Sequence, residues 1–349
     1  MSKFLRHIFL PVLMLLAAAS CHRRPLYDAE ELVKIQVKVN IEAIANVTSD
    51  IYNDRIPVPD LTTDMMRVMV YEPGTKRLLS QSFISNKTYS PEGNQILSGN
   101  LNISFGNYDF VVYNFDTPTT QVKEETSENT IIAYTDEISQ SLRTKYLGTK
   151  ADEYDDISIN YEPDHLTVAR EKDVYVAPHD TVVVINTTAR TIVDTYYIQI
   201  HVEGMQHASS ATAVISGLSP SNRFGLNERT VDPSAAVCFD LHKSTDPNLP
   251  GANKDVLCAV FNTFGKIQDI SSNLHVTFNV VDTAGNLQQK DINLDTVFNS
   301  EDAIERHWLL IDETWVIDDP TGPVTPPASN GGFQPKVDDW VEEQGEISL

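Results

Sequence analysis

Positive charge is what this chain of 349 residues has least of: 26 lysines and arginines stand against 49 aspartates and glutamates, a formal net charge of −23. A nucleic-acid partner is excluded on that balance. Binding phosphates needs a basic stripe that releases counterions, and beyond the first 20 residues no basic cluster is longer than a pair such as Arg23-Arg24. The same shortage argues against adhesion to an anionic lipid face. Cysteine is scarce too, with three in all, and no Cys/His spacing suggests a zinc site. The nine histidines are scattered, without a pair three or four apart on a helix, so no metal ligand set is expected. The acidic stretch 152–156 matches no calcium loop and reads as a solvated turn. There is no Gly-x-Ser-x-Gly elbow, phosphate loop, His-Glu-x-x-His or dinucleotide fingerprint. A non-enzymatic protein without a cofactor is the expectation.

Long apolar runs are likewise missing, except at the start. Lys3, Arg6 and His7 precede the apolar residues 8–16, and Ala17-Ala18-Ala19-Ser20 lead into Cys21. Residues 1–20 read as a secretory signal peptide, too short to span a bilayer as a helix. A cysteine directly after small residues resembles a bacterial lipobox, in which the thiol is diacylated before cleavage; Ala18 stands where leucine is commoner. Cys21 is therefore the expected lipidation site, with residues 21–31 as the tether. Acyl chains of palmitate length make an effectively permanent anchor. Losing Lys3 and Arg6 with the leader takes the formal charge from −23 to −25.

From Leu32 the pattern alternates. Val33, Ile35, Val37, Val39 and Ile41 fall on one face, and Lys34, Gln36, Lys38, Asn40 and Glu42 on the other, the period of a half-buried strand. A loop containing Arg55 follows. Residues 66–71 form the next expected strand, closed by Glu72-Pro73-Gly74-Thr75. Residues 101–105 and 108–114 make a hairpin about Gly106-Asn107, whose Tyr108, Phe110, Tyr113 and Phe115 suit sheet packing. One helix is expected in the first half: Thr135 caps it, Ile138, Leu142 and Tyr146 share a face, and Gly148 ends it. Further strands are expected at 174–176, 181–186, 195–202, 212–215, 237–241, 257–261, 275–281 and 288–294.

Many short strands, each with a polar face, predict an all-β fold of antiparallel sheets in two β-sandwich domains, the first carrying the one short helix. A break at Glu162-Pro163-Asp164-His165 sets the domains at 32–170 and 171–319. Residues 320–332 are a Pro/Gly linker, and 333–349 a terminal strand and tail. Phe333, Val337 and Trp340 in that tail need an apolar surface, either the chain's own second domain or another subunit's sheet edge. Cys238 and Cys258 both lie in strand-like contexts. They form either a disulfide, which an oxidising compartment permits, or two small buried hydrophobes.

Cys21 followed by His22-Arg23-Arg24-Pro25-Leu26-Tyr27, the strand 35–41, the segment 101–114 with Gly106, Tyr108 and Tyr113, and Gly331-Gly332-Phe333 to Trp340 together resemble the fimbrial-subunit lipoproteins of Bacteroidetes, the FimB/Mfa-like fimbrillin superfamily. The resemblance runs over nearly the whole mature chain. It implies transthyretin-like β-sandwich domains in a cell-surface fimbria or pilus, lipid-anchored at the outer membrane, with other fimbrial subunits as partners. It also implies that shaft subunits lose the first strand to a protease and accept a neighbour's strand, whereas anchor subunits keep it. Removing the strand would bare a groove for five aliphatic positions, each worth about 1.5–3 kcal/mol when refilled. Val33, Ile35, Val37, Val39 and Ile41 are thus contact candidates, and Arg55 a candidate processing point or an ordinary exposed loop arginine. An anchor or accessory role is favoured over a processed shaft role. A surface lipoprotein binding a glycan or nutrient partner is the alternative, and a hydrolase on a β scaffold would require a deep pocket of convergent carboxylates or histidines.

Overall fold

The computed structural model describes residues 32–41 and 51–320, apart from positions 92, 116, 148–157, 179–180, 232–233 and 268–273; for 32–41 it gives the strand and its register. The leader, Cys21, the linker and the terminal strand with Phe333, Val337 and Trp340 lie outside the described residues.

The first half of the chain runs β1 (Leu32–Ile41), β2 (Met66–Tyr71), β3 (Leu78–Ile84), β4 (Asn86–Tyr89), β5 (Gln95–Ser104) and β6 (Gly106–Asn114). Short strands β7 (Gln121–Lys123) and β8 (Ile132–Tyr134) follow, then α1 (Gln140–Leu147), β9 (Ser158–Asn160), β10 (Thr167–Val176) and β11 (Val182–Thr191). One sheet has the order β3-β2-β6-β10-β11-β1-β5-β4. It folds over where β10 and β11 meet through only Thr167↔Thr191 and Val168↔Arg190. Its two halves then enclose Val68, Val70, Phe110 and Val112 from one side and Leu97, Leu101, Ile103 and Ile185 from the other. These are the alternate residues of their strands, as a period of two requires.

The second half runs β12 (Asp194–Glu203), β13 (Ala208–Leu218), β14 (Ser221–Arg223), β15 (Glu228–Arg229), β16 (Ala235–Asp240) and β17 (His242–Thr245). It continues through β18 (Asp255–Thr263), β19 (His275–Asp282), β20 (Leu287–Asn293), α2 (Glu301–Arg306) and β21 (Trp308–Val316). Sheets β17-β18-β12-β21 and β20-β19-β13-β16-β9 close on a core that includes Ile198, Ile200, Leu257, Phe261, Val276 and Phe278. The expected all-β architecture is present, and most strand pairs are antiparallel. Among the described residues three are parallel: β1 with β11, β12 with β21, and β9 with β16. Each sandwich places its first strand between its last strand, in parallel, and an inner strand, antiparallel.

Several sequence expectations need correction. The hairpin about Gly106-Asn107 does not form: β5 pairs with β1 and β4 and β6 with β2 and β10, so the chain at Gly106 crosses from one half of the folded sheet to the other. The boundary near 170 is misplaced, because β10 and β11 complete the first sheet and the second sandwich begins at β12. Strand 174–176 extends back to Thr167 to pair with β6, a contact that local pattern does not reveal. The helix of the first half begins at Gln140, later than expected, so Ile138 precedes it; Ile138 and the helix residues Leu142, Tyr146 and Leu147 together cover Val214, Ala236 and Cys238 of the second sandwich. The segment reaches across because β9 adds to the edge of β16.

Near that helix, Glu162 accepts a hydrogen bond from the Asn262 backbone N–H at 2.9 Å. Burial pushes its carboxyl up to about 7; the Asn262 bond opposes the rise, and Asp164 and Asp240 add to it. The unfolded carboxyl ionises near 4.5, so stability falls as pH rises from that value to about 7. Glu162→Gln is expected to add about 2 kcal/mol at pH 8 and to change little at pH 4, as read by urea unfolding at both values.

The sandwiches are joined by more than the short link between β11 and β12. A small sheet, β15-β14-β8-β7, takes two strands from each half of the chain. Beside it Phe224, fully buried, packs edge-on to Tyr113 with ring centroids 5.1 Å apart, among Met69, Val111, Leu166 and Phe264. Arg170 Nη1 donates to the Phe224 carbonyl at 2.6 Å. The loop between β7 and β8 is tied to the first sandwich by the buried Glu128 carboxylate, which sits between Lys76 (3.2 Å) and Lys172. Lys76 also reaches buried Asp109 at 2.5 Å.

Candidate subunit-contact site

The seat of β1 is built by its two neighbours. Val33 stands opposite Ile103; Ile35 opposite Leu101 and Val183; Val37 opposite Gly99 and Ile185; Val39 opposite Leu97 and Thr187; Ile41 opposite Ala189. On β5 and β11 these facing positions are the core-directed ones: Leu97, Leu101, Ile103, Ile185, Thr187 and Ala189 are all buried. The even positions of β1 register instead with Asn100 and Asn102 on β5 and the exposed Val182 and Val184 on β11. The five aliphatic positions named from the sequence therefore fall in one row of the register.

Residues 51–56 do not form a free loop. They lie as a strap on the outer face of the second domain's sheet, where Ile51 and Ile56 are buried against Tyr197, with Cys258, Val260, Trp308 and Leu310 packed around them. A tight turn fixes the strap: the Asn53 N–H donates to the Ile56 carbonyl at 2.9 Å, and the Arg55 N–H to Asn53 Oδ1 at 2.8 Å. The Arg55 guanidinium lies 4.4 Å from the Trp308 ring centroid and 5.2 Å from that of Tyr197. Its Nη2 donates to Asp246 Oδ2 at 2.8 Å. That carboxylate also accepts from Gln199 Nε2 at 2.9 Å and from the Asn248 N–H at 2.9 Å. Burial alone would raise the Asp246 carboxyl, but the bonds from Gln199 and Asn248 and the Arg55 charge outweigh it and hold it low. The chain returns to the first domain through a reciprocal pair in which the Thr63 N–H donates to Gln95 Oε1 and Gln95 Nε2 to the Thr63 carbonyl, both at 3.0 Å.

Arg55 is thus not an ordinary exposed arginine; it is half-buried and held against the outer face of the second domain's sheet. Its partners Tyr197, Asp246 and Trp308 were not singled out from sequence. Trp308 heads a strand whose apolar and aromatic content, Trp308-Leu309-Leu310-Ile311, was the available signal.

The disulfide alternative is corrected. Both thiols are free, and the two residues occupy opposite sheets of the sandwich. Val237 and Phe239 face the core, so Cys238 points outward beneath α1; Leu257 and Ala259 face the core, so Cys258 points outward beneath the strap. The whole core separates them. Burial, with Glu162 and Asp240 nearby, pushes the Cys238 thiol up to about 12, so it remains protonated. Among the described residues no group of three or more His, Cys, Asp or Glu side chains is placed to hold a metal ion.

A family profile described as Domain of unknown function (DUF5119) matches residues 20–240. The chain belongs to the DUF5119 family. A Bacteroides ovatus protein assigned as the fimbrium anchoring subunit Fim4B is 22% identical to this DUF5119 chain over 267 residues, 76% of this chain and 67% of the relative. Among solved structures, one assigned as a Bacteroides ovatus adhesin is 17% identical, covers 87% of this chain and 98% of its own, and superposes with a TM-score of 0.58. The fimbrial anchor protein Mfa2 of Porphyromonas gingivalis is 12% identical, with 82% and 90% covered and a TM-score of 0.48. The adhesin establishes that the DUF5119 chain has a fold already seen in solved structures.

Proposed function

We propose that this DUF5119 protein is a non-enzymatic fimbrial subunit of the anchor or accessory type, held at the outer membrane by a lipid on Cys21 and keeping its first strand. The observation that carries this reading is the strap. A subunit that sheds β1 needs an accessible bond between that strand and the rest of the first domain. Here the arginine that follows β1 is clamped by Trp308, Tyr197 and Asp246, and the adjoining Ile56 is fully buried. Proteases require extended, accessible backbone, whereas residues 53–56 form a tight turn closed by the Asn53–Ile56 hydrogen bond and pinned by buried Ile56. The kinship with a relative assigned as a fimbrium anchoring subunit supports the same role. Contact with the next subunit then falls to the tail, through Phe333, Val337 and Trp340.

Mass spectrometry of the protein recovered from its own outer membrane tests this, with and without surface protease. A lipidated Cys21 N-terminus with residues 33–42 retained is the expected result. A new N-terminus just after Arg55 would make the chain a polymerising shaft subunit, and an unmodified Cys21 on a soluble chain would overturn the lipid anchor.

A further inference from the structure

A cavity of about 340 Å³ lies between α1 and the segment joining β9 to β10. That volume is within the roughly 300–1,000 Å³ of small-ligand sites. Leu142 and Tyr146 of the helix and Tyr161 of the segment supply apolar and aromatic walls. Glu162 and Asp164 add two carboxylates.

Among the described residues neither carboxylate is paired with a lysine or arginine. Lys145, beside Tyr146 on the helix, turns to Asp240 instead, its Nζ 3.2 Å from Oδ1. Asp164 is satisfied locally, since its Oδ2 accepts from the Thr119 N–H at 2.5 Å and from the Thr119 hydroxyl at 2.7 Å. Glu162 is different. Its Oε2 accepts from the Asn262 N–H, and its Oε1 has no hydrogen bond among the described residues. The side chain is only partly buried and lines the cavity, so Oε1 is open to a ligand there. The Asn262 bond does not call for a charge, because an amide oxygen accepts an N–H as well. At neutral pH the protein therefore holds a half-buried carboxylate whose neighbouring charges, Asp164 and Asp240, repel it. A cation is what this group lacks.

We propose that this cavity binds an organic cation, an ammonium or guanidinium head on a short apolar stem, with the head donating to Glu162 Oε1 and the stem lying against Leu142 and the tyrosines. Apolar walls suit such a stem, and aromatic rings attract the charge it carries. Anionic ligands are disfavoured by the two carboxylates, and the formal charge of −23 draws cations to the protein. A bare metal ion is disfavoured because no group of three or more His, Cys, Asp or Glu side chains among the described residues is placed to hold one. Two sources carry this chemistry, a free amine and the lysine or arginine side chain of a polypeptide. The other groups around the cavity do not compete for its titration. Burial pushes the Cys238 thiol up to about 12 and raises the Tyr146 hydroxyl, Asp240 is paired with Lys145, and His165 lies between the hydroxyls of Thr191 and Thr195. The assignment does not depend on the fimbrial role proposed above.

The test is calorimetric titration of the full chain with butylguanidinium, putrescine and N-acetyl-arginine methylamide, and with butyramide as the neutral isostere. The cations are expected to bind at pH 8 and butyramide not to. Glu162 carries a proton below about pH 7, so the cation must displace it. Affinity should therefore fall about tenfold or more between pH 8 and pH 5, and binding at pH 7 should release protons, read from the dependence of the heat on the buffer. Glu162→Gln, which keeps the Asn262 bond and is expected to fold more stably at pH 8, should bind at least about tenfold more weakly and release no proton. Binding by the arginine derivative assigns the site to a polypeptide side chain, and binding by putrescine alone to a free amine. Absence of cation binding by the folded chain overturns the proposal. So does butyramide binding as tightly as the cations, or cation binding that is unchanged in Glu162→Gln.

Discussion

Gly225→Ala is expected to loosen the two domains from each other and to cost about 3 kcal/mol of stability. A Cβ at this position would stand 1.9 Å from the Glu128 carbonyl oxygen, 2.8 Å from Ile131 Cγ2 and 3.0 Å from the Glu128 carbonyl carbon. No rotamer change relieves the first contact, because the obstacle is backbone. Nor can that backbone retreat freely, since the Glu128 side chain is held by Lys76 and Lys172. The turn would therefore back away, drawing Phe224 out of its place against Tyr113 and stretching the Arg170 bond to its carbonyl. Hydrogen exchange should register the change first at β8 and β14, whose pairing crosses between the halves of the chain. Gly74→Ala is the matched control, since nothing lies within 4 Å of a Cβ there, and its stability should move by no more than about 0.5 kcal/mol. Equal behaviour of the two variants would show that the junction is not closely packed.

Arg55→Ala is expected to cost about 3 kcal/mol, because it removes two ring contacts and leaves the buried Asp246 carboxylate short of its cation. Proteolysis gives the sharper readout. Trypsin should spare the Arg55–Ile56 bond in the native protein and cut it in Asp246→Asn, where Arg55 is still present but no longer held by charge. If trypsin cuts both proteins at the same rate, the strap is not a clamp. The pH dependence follows from Asp246, whose carboxyl is held below its usual 3.8 despite burial, by Gln199, Asn248 and Arg55. A lowered value means the contribution is fully present above the unfolded value and fades as pH falls through the folded one. Protection of the strap should therefore persist through mild acid and be lost only below about pH 4.

What could be read from the sequence was whatever repeats locally. The alternation over 32–41 and 66–71 and the turn at 282–286 appear where period and turn chemistry place them. The hairpin at Gly106 does not form, because β5 and β6 each find partners in opposite halves of the first sheet. The apolar face of α1 was legible as well, though not its start or its destination, because Leu142 and Tyr146 specify an apolar surface without naming one. The domain boundary failed for the same reason: β10 and β11 are ordinary alternating strands, and only pairing with β6 and β1 assigns them to the first sandwich. The cysteines were a missed opportunity. Val237 and Phe239 flank Cys238, and Leu257 and Ala259 flank Cys258, so strand parity alone would have turned both thiols away from the shared core. Arg55 could not have been read. Its cage is assembled from Tyr197, Asp246 and Trp308, each far along the chain, and no local feature distinguishes it from an exposed arginine.

The parallel pairings of β1 with β11 and of β12 with β21 have a mechanical consequence. A pull applied at the start of β1 and the end of β21 runs along β1, across to β11, directly into β12 and across to β21. In each sandwich the loaded ends belong to neighbouring strands that point the same way, so the load slides them along each other. Sliding strains every rung of the ladder together, whereas tearing an antiparallel edge breaks one rung at a time. The two sandwiches are in series and loaded alike, so neither is the weaker link by geometry, and extension under tension should begin in the segments outside them.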